Sequence, residues 1–351
     1  MNFPIPSPDP LPLPAPVWLL QFLSLLTFVL HLVPMSIMLG GSIIAVVALL
    51  RKDEELTRCL VPALPVATAM AITLGVAPLL FVQVMYGQFF YSSSILMAVP
   101  WLLVVPVLIV AYYGFYFNAL TTKPCRIAAL VSAAGVVLIG FIYSNNMTLM
   151  LTPERWRQFT ATANTLGLAL NTGEPTLPAR SLHMLLGALA VTGLFIAIRG
   201  QVKWGALQFA LATVANIGAG LWFLFSLPAD IRAQFLGGNV VQTAHLGSAV
   251  LLALLALMLA LLATNSPKPR SKLILASVCL MLTLVLMATI RHFVRQAYLK
   301  PHFDLATLPV KPMWDVFALF AVLLVAGLGV VAWMVFTVCR KSSTCPAPAS
   351  K

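Results

Sequence analysis

Acidic residues are scarce in this sequence, and none of them lies inside a long apolar run. The 351 residues include nine Asp and Glu against 21 Lys and Arg. All nine acidic residues fall between the apolar runs or at their ends. A proton-driven transporter or a proton-consuming oxidase normally carries at least one carboxylate along its intramembrane proton path. The absence of such a group counts against both classes.

The motifs of several enzyme and metal-site classes are also missing. The five cysteines form neither a CxxC nor a CxxCH motif, which argues against structural zinc and against covalently attached c-type haem. Spaced carboxylate and histidine ligands for a di-metal site are absent, and so are a P-loop, a GxGxxG motif and a Ser-His-Asp order.

Apolar residues dominate the chain instead. It is 61% hydrophobic and only 9% charged, with a mean hydropathy of +0.98, which is typical of an integral membrane protein. A helix needs about 20 apolar residues to cross a hydrocarbon core of about 30 Å. We therefore predict an all-α polytopic bundle of about nine transmembrane helices. The predicted spans are 17–50, 60–82, 95–120, 127–143, 181–198, 204–227, 240–263, 273–293 and 314–338.

The segments outside these spans are interpreted from their composition. GQFFYSSS, residues 87–94, is expected to be an uncharged loop between the second and third spans. The long connection after the fourth span is expected to carry an interfacial amphipathic helix at 153–163. Residues 1–16 are rich in proline and have no basic segment before the first apolar run. This pattern predicts an extended leader and not a cleaved signal peptide.

The basic residues predict the topology. All 21 are scattered between apolar runs, so membrane orientation explains the net charge of +12 better than nucleic-acid binding does. With the N-terminus outside, thirteen of them lie in inner segments and eight in outer ones. We predict a periplasmic leader at 1–16, a single membrane domain at 17–339 and a cytoplasmic tail at 340–351.

Four of the five histidines are predicted to share one depth in the membrane. His31, His183, His245 and His292 each lie sixteen to twenty-three residues from a basic residue at the inner end of their span. The helical rise places them about 24 to 35 Å from that end, in the outer leaflet. One such histidine is usually a hydrogen-bonded polar residue between helices, but four at one depth indicate a shared cofactor. His302 lies in an outer loop and is expected at the surface.

Three arginines lie close to these histidines on the side of the membrane that should have few basic residues. Arg180, Arg291 and Arg295 are each within three residues of a histidine. Imidazole ligates haem iron and a guanidinium group pairs with haem propionates. The combination predicts buried haem, with the four histidines as iron ligands and the three arginines as propionate partners.

Five stretches resemble subunit I of the cytochrome bd-type quinol oxidases. They are HLVPMSIMLGGSIIAV at 31–46, LGVAPLLFVQVMYGQFF at 74–90, NNMTLMLTP at 145–153, RSLHMLLGALAVTGLF at 180–195 and IRHFVRQAY at 290–298. The resemblance implies nine spans, an outer N-terminus, haems near the outer face and a bacterial inner membrane location. It maps His31 onto the ligand of the oxygen-reactive haem and His183 onto a ligand of the low-spin haem. His292 takes the place of the glutamate that ligates the second high-spin haem, and Arg295 matches the motif arginine.

Several departures from that family bear on the expected function. His245 stands where the family has a methionine, which implies a bis-histidine centre with His183. The third span is apolar where the family has glutamates for proton delivery, and the loop after the sixth span has about a dozen residues. Ala297 and Tyr298 replace the proline and tryptophan of the arginine motif. The haem scaffold is therefore expected without the family's proton path and quinol loop.

The expected function is that of a membrane cytochrome with one to three b-type haems, moving electrons at the periplasmic face. His183 and His245 would hold a low-spin haem, and His31 and His292 would each hold or share another. The expected partner is a periplasmic c-type cytochrome or an iron–sulfur subunit of a respiratory complex, because this chain has no soluble electron-carrier domain. Two alternatives stay open: a divergent bd-like quinol oxidase subunit that reduces oxygen, and a haem-free permease. Survival of a quinone site also stays open.

Overall fold

A computed structural model of the chain describes residues 5–161 and 167–342, and helices account for almost all of its regular structure. One isolated parallel bridge, between Leu13 and Val310, is the exception within these residues. The α-helices are α1 Val17–Arg51, α2 Glu54–Leu60, α3 Ala63–Leu96, α4 Ala98–Leu120, α5 Arg126–Leu151, α6 Trp156–Ala161, α7 Thr176–Ile198, α8 Val202–Ser226, α9 Ala229–Ala233, α10 Val240–Ala263, α11 Pro269–Leu299 and α12 Trp314–Ser342.

The described residues contain nine helices that are long and apolar enough to cross a membrane. They correspond one for one to the predicted spans, with α2 and α3 forming a single segment, Glu54–Leu96. The prediction of an all-helical, multi-pass membrane protein is confirmed at this level. Short helices lie between the spans, including a 3-10 turn at Pro153–Arg155 that leads into α6. This helical segment covers most of the predicted interfacial helix; its last two residues lie outside the described residues.

Residues 87–94 are helical, so the predicted loop is wrong. They form the last turns of α3, after a kink at Tyr86, whose φ of −137° and ψ of 34° are not helical. The segment carries Phe89, Phe90 and Ser93, which are all buried. These three side chains pack inside the protein, whereas Tyr91 is exposed.

By their contacts, the described residues form two compact units, one of residues 5–9 and 21–304 and the other of residues 10–20 and 305–342. The second unit contains α12 and the first turn of α1. Within this unit the backbone N–H of Leu13 donates to the carbonyl oxygen of Pro309 at 2.8 Å. The N–H groups of Lys311 and Met313 donate to the carbonyls of Leu13 and Pro14.

The first unit is held together by close packing of small residues, which suits helices that lie in lipid. A Cβ atom on Gly193 of α7 would lie 2.5 Å from the backbone nitrogen of Phe209, so α7 and α8 approach backbone to backbone. The Thr192 hydroxyl donates to the Ser36 carbonyl oxygen at 3.1 Å and so ties α7 to α1. Buried apolar clusters continue this packing from α1 and α3 to α7, and from α7 and α8 to α10 and α11. These contacts set the helix pairs on which the histidines lie.

Candidate functional site

His31 on α1 is held by the neighbouring helix α3. Its Nδ1 lies 2.9 Å from the carbonyl oxygen of Ala71. A carbonyl oxygen can only accept a hydrogen bond, so Nδ1 carries the proton and Nε2 keeps its lone pair. A neutral imidazole with this tautomer is able to bind a metal through Nε2. Metal-bound histidines commonly donate their other nitrogen to a carbonyl or carboxylate in the same way.

His183 on α7 repeats this arrangement with α8. Its Nδ1 lies 3.1 Å from the carbonyl oxygen of Asn216, and the ring is partly buried. The acceptor is again a backbone carbonyl on the helix that packs against the histidine's own helix. The same reasoning places the proton on Nδ1 and leaves Nε2 free to bind a metal.

The Phe293 ring lies close to both His245 and His292. His245 on α10 places its Nδ1 2.7 Å from the carbonyl oxygen of Val241, one turn earlier in its own helix. The Phe293 ring of α11 meets the His245 ring edge to face, with centroids 5.4 Å apart and an interplanar angle of 81°. Phe293 is also 6.3 Å from the ring of His292, which is buried. This phenyl ring therefore connects the two histidines.

The three predicted arginines each lie over an aromatic ring. Their guanidinium carbons are 4.4 to 5.7 Å from the ring centroids. The pairs are Arg180 over Phe223, Arg291 over Phe28 and Arg295 over Tyr86. An aromatic face attracts a cation but does not neutralise it. The contact with Phe223 therefore leaves the charge of Arg180 in place, and its buried Nε and Nη2 have no hydrogen-bond partner.

Arg291 is the residue that brings the histidines and arginines together. Its charge interacts with that of Arg295, four residues later on α11, and with that of Arg180 on α7. His31 and His292 are within electrostatic range of it as well. Helices α1, α7 and α11 therefore contribute to one cationic region with two of the predicted ligands inside it. His183 is one turn from Arg180 on α7.

Among the described residues, none of these three arginines forms a salt bridge with a carboxylate. The Nε and Nη2 atoms of Arg180 are buried and have no hydrogen-bond partner. Nearby ion pairs join Arg155 with Glu174 at 3.1 Å and His302 with Glu154 at 3.8 Å, and neither involves one of the three arginines. Glu174 is the carboxylate whose charge acts on Arg180. It already accepts hydrogen bonds from Arg155 and from the Thr176 hydroxyl. Buried cations without counter-charges are costly, so the region is suited to an anionic group.

A haem group fits these residues on two counts. Three imidazoles are fixed through Nδ1 with Nε2 free, and the guanidinium edge of Arg180 has no protein partner. Axial ligation of haem needs only one or two imidazoles, whereas an ion bound by protein alone needs three or more ligands. The described part of the chain has no cluster of three or more His, Cys, Asp or Glu side chains able to hold an ion.

The asparagines of the NNMTLMLTP stretch organise the neighbouring backbone. Asn146 accepts from the Ser93 hydroxyl at 3.1 Å and donates to the Ser94 hydroxyl at 3.0 Å, joining α5 to α3. Asn145 accepts from the backbone N–H of Asn171 at 2.7 Å. These bonds fix the segment that leads to Glu174 and α7, so their role is to position the start of the helix that carries Arg180 and His183.

Two aromatic residues of this region escaped the sequence analysis. Phe28 and Phe293 were not singled out, although Phe28 lies one turn before His31 and Phe293 directly follows His292. The Tyr298 hydroxyl, buried and without a partner, lies within electrostatic range of Arg180. His302 is exposed, as expected of a surface residue. Searches against protein-family models, curated protein sequences and solved structures find no match to this chain.

Proposed function

We propose that this chain is a b-type membrane cytochrome that transfers electrons at the periplasmic face of a bacterial inner membrane, with a helix arrangement like that of bd-type subunit I. The observation that supports the proposal is the placement of Nδ1-anchored imidazoles near arginines. The charge of Arg291 acts on His31. Arg180, one turn before His183, has buried Nε and Nη2 atoms without a hydrogen-bond partner. Both halves of a haem, its iron and its propionates, have matching side chains in one region.

Each predicted residue has a physical role in this proposal. His183 and His245 would hold one haem iron, and His31 and His292 would hold or share another. Arg180, Arg291 and Arg295 bind propionates, and the aromatic rings beneath them limit their movement. The surrounding apolar helices exclude water. Haem b, when bound, supplies reversible one-electron transfer. The partner is a periplasmic c-type cytochrome or an iron–sulfur subunit, with the N-terminus outside and the C-terminus in the cytoplasm.

A haem assay on the purified protein, expressed beside its neighbouring genes, tests the proposal. A pyridine haemochrome measurement with reduced-minus-oxidised spectra should give one to three b haems per chain. His183→Ala and His245→Ala should remove the same low-spin signal, and His292→Ala a different one. His302→Ala is the matched control, because this histidine is exposed and lies outside the cationic region.

Three results would count against the proposal. A colourless wild-type protein would exclude haem and favour the permease. Equal loss of haem in His302→Ala and His183→Ala would show that histidine replacement lowers haem content without removing a ligand. An oxygen uptake that disappears in His31→Ala together with a carbon-monoxide-reactive haem would instead favour the quinol oxidase.

A further inference from the structure

His31 and His183, which each bond a carbonyl of a neighbouring helix, also each lie against a glycine of that helix. A Cβ atom added to Gly75 would lie 2.9 Å from both Cε1 and Nδ1 of His31. One added to Gly220 would lie 3.1 Å from Cε1 and 3.2 Å from Nδ1 of His183. Each glycine is four residues after the carbonyl that accepts from the same imidazole, Ala71 for His31 and Asn216 for His183.

Helix geometry explains why the spacing is four residues in both cases. The carbonyl of residue n already accepts the N–H of residue n+4, and its second lone pair points outward. The Cα–Cβ bond of residue n+4 leans toward the helix N-terminus and so covers that carbonyl. At Gly75 and Gly220 a Cβ atom would therefore crowd the imidazole that donates to this oxygen.

We infer that Gly75 and Gly220 are positioning residues for haem ligation, each opening the carbonyl that fixes the Nδ1 proton and the Nε2 direction of one histidine. This inference rests on the proposed function. The same local device, a carbonyl and a glycine four residues later, occurs on α3 for His31 and on α8 for His183. His245 does not need it, because its acceptor is the Val241 carbonyl of its own helix.

The hydrogen bond has a consequence for the iron as well as for the ring. Donation from Nδ1 to a carbonyl raises the basicity of a ligating imidazole. A more basic ligand stabilises ferric iron more than ferrous iron, so the intact contact holds the reduction potential down. A Cβ atom at either glycine would push the ring away from its acceptor, which weakens the bond and raises the potential of that haem.

Replacing each glycine by alanine tests the inference. Alanine is the better helix former, and the group that must move is the end of a side chain, so the variants are expected to fold. Gly75→Ala should raise the potential of the His31 haem only, and Gly220→Ala that of the low-spin haem only. Haem affinity at the altered site should fall about 10- to 100-fold, the usual cost of losing a partner of a metal-bound histidine. The effect should be larger for Gly75→Ala, where the contact is closer.

Gly218→Ala is the matched control for Gly220→Ala. Gly218 lies on the same helix, α8, and a Cβ atom added to it would meet nothing within 4 Å. The inference is wrong, and the proposed function stands, if wild type holds haem but Gly75→Ala and Gly220→Ala keep its potentials and spectra as the control does. A wild-type protein without haem overturns both.

A measurement on wild type removes the dependence on folding of the variants. Nitrogen-15 spectra of histidine-labelled, reduced protein should show Nδ1 protonated in His31 and His183. A proton on Nε2 of either residue would contradict the inference.

Discussion

The guanidinium carbon of Arg291 lies 4.4 Å from the ring centroid of Phe28. Phe28 is one turn before His31 on α1, and Arg291 directly precedes His292 on α11. One cation–aromatic contact therefore joins the two helices that carry these histidines.

Phe28→Leu should loosen this link. Loss of a desolvated cation–aromatic contact costs about 0.5 to 2 kcal/mol, so the free energy of unfolding should fall by about 1 kcal/mol. Thermal unfolding in detergent, followed by circular dichroism, measures the change. Phe28→Tyr keeps the aromatic face and should remain near wild type. Equal destabilisation by both substitutions would show that ring packing, and not the contact with Arg291, is what matters.

Arg180→Met should act in opposite directions on the haem-free and haem-bound proteins. Methionine removes a buried cation whose Nε and Nη2 have no partner, so the haem-free protein should become more stable. The haem-bound protein should lose a charge-assisted contact of about 1.5 to 3 kcal/mol, which weakens haem retention at least tenfold. Haem transfer to an apo-globin acceptor measures retention.

Arg157→Gln provides the control for charge alone, because Arg157 is an exposed arginine in the segment before α7. It should leave haem retention unchanged. If Arg180→Met retains haem as wild type does, Arg180 is not a propionate partner, and its guanidinium group must have some other anion.

The sequence was sufficient to predict the spans, because crossing a membrane depends on the length and composition of an apolar run more than on its neighbours. Helix ends were harder to predict. Residues 87–94 form helix where a loop was expected, since the bonds of Ser93 and Ser94 to Asn146 stabilise the end of α3 from another helix. Such a contact joins residues more than fifty positions apart and has no local sequence signal.

The side chains of the candidate site were partly predictable for a similar reason. Histidine and arginine are rare in apolar runs, so His31 and Arg291 were visible by residue type. The carbonyls of Ala71 and Asn216 were not, because a backbone acceptor is present at every residue. Gly75 and Gly220 are visible as glycines inside apolar runs. Their contact with a histidine can be predicted only when the helix that faces each glycine is known.

Asn146→Leu should destabilise the junction of α3 and α5. The side chain is fully buried and bonds two serine hydroxyls. The substitution removes this shared partner, although the Ser93 hydroxyl keeps the Phe90 carbonyl oxygen as an acceptor at 2.9 Å. An unpaired buried polar group costs about 1 to 3 kcal/mol, and we expect a loss of about 1 kcal/mol in the free energy of unfolding, because Ser94 is half-buried. The triple replacement of Asn146 by Leu and of both serines by Ala should recover part of this loss. Without any recovery, the cost would have to come from leucine packing and not from the unpaired hydroxyls.

Phe293→Leu should disturb two haem signals with one substitution. The centroid of the Phe293 ring lies 5.4 Å from that of His245 and 6.3 Å from that of His292. The substitution therefore removes an aromatic neighbour from both imidazoles. Aromatic pairs of this kind contribute about 0.5 to 1.5 kcal/mol. With that restraint gone, each ring samples more orientations, which should broaden the reduced-minus-oxidised bands assigned to both histidines.

Low-temperature spectra of the purified protein resolve such broadening. Phe317→Leu serves as the matched substitution, since the Phe317 ring contacts Trp314 on α12 and neither histidine. It should leave every haem band unchanged. A Phe293→Leu spectrum in which only the His292 band changes would mean that the edge contact does not restrain His245. The bond of its Nδ1 to the Val241 carbonyl would then be sufficient to hold that ring.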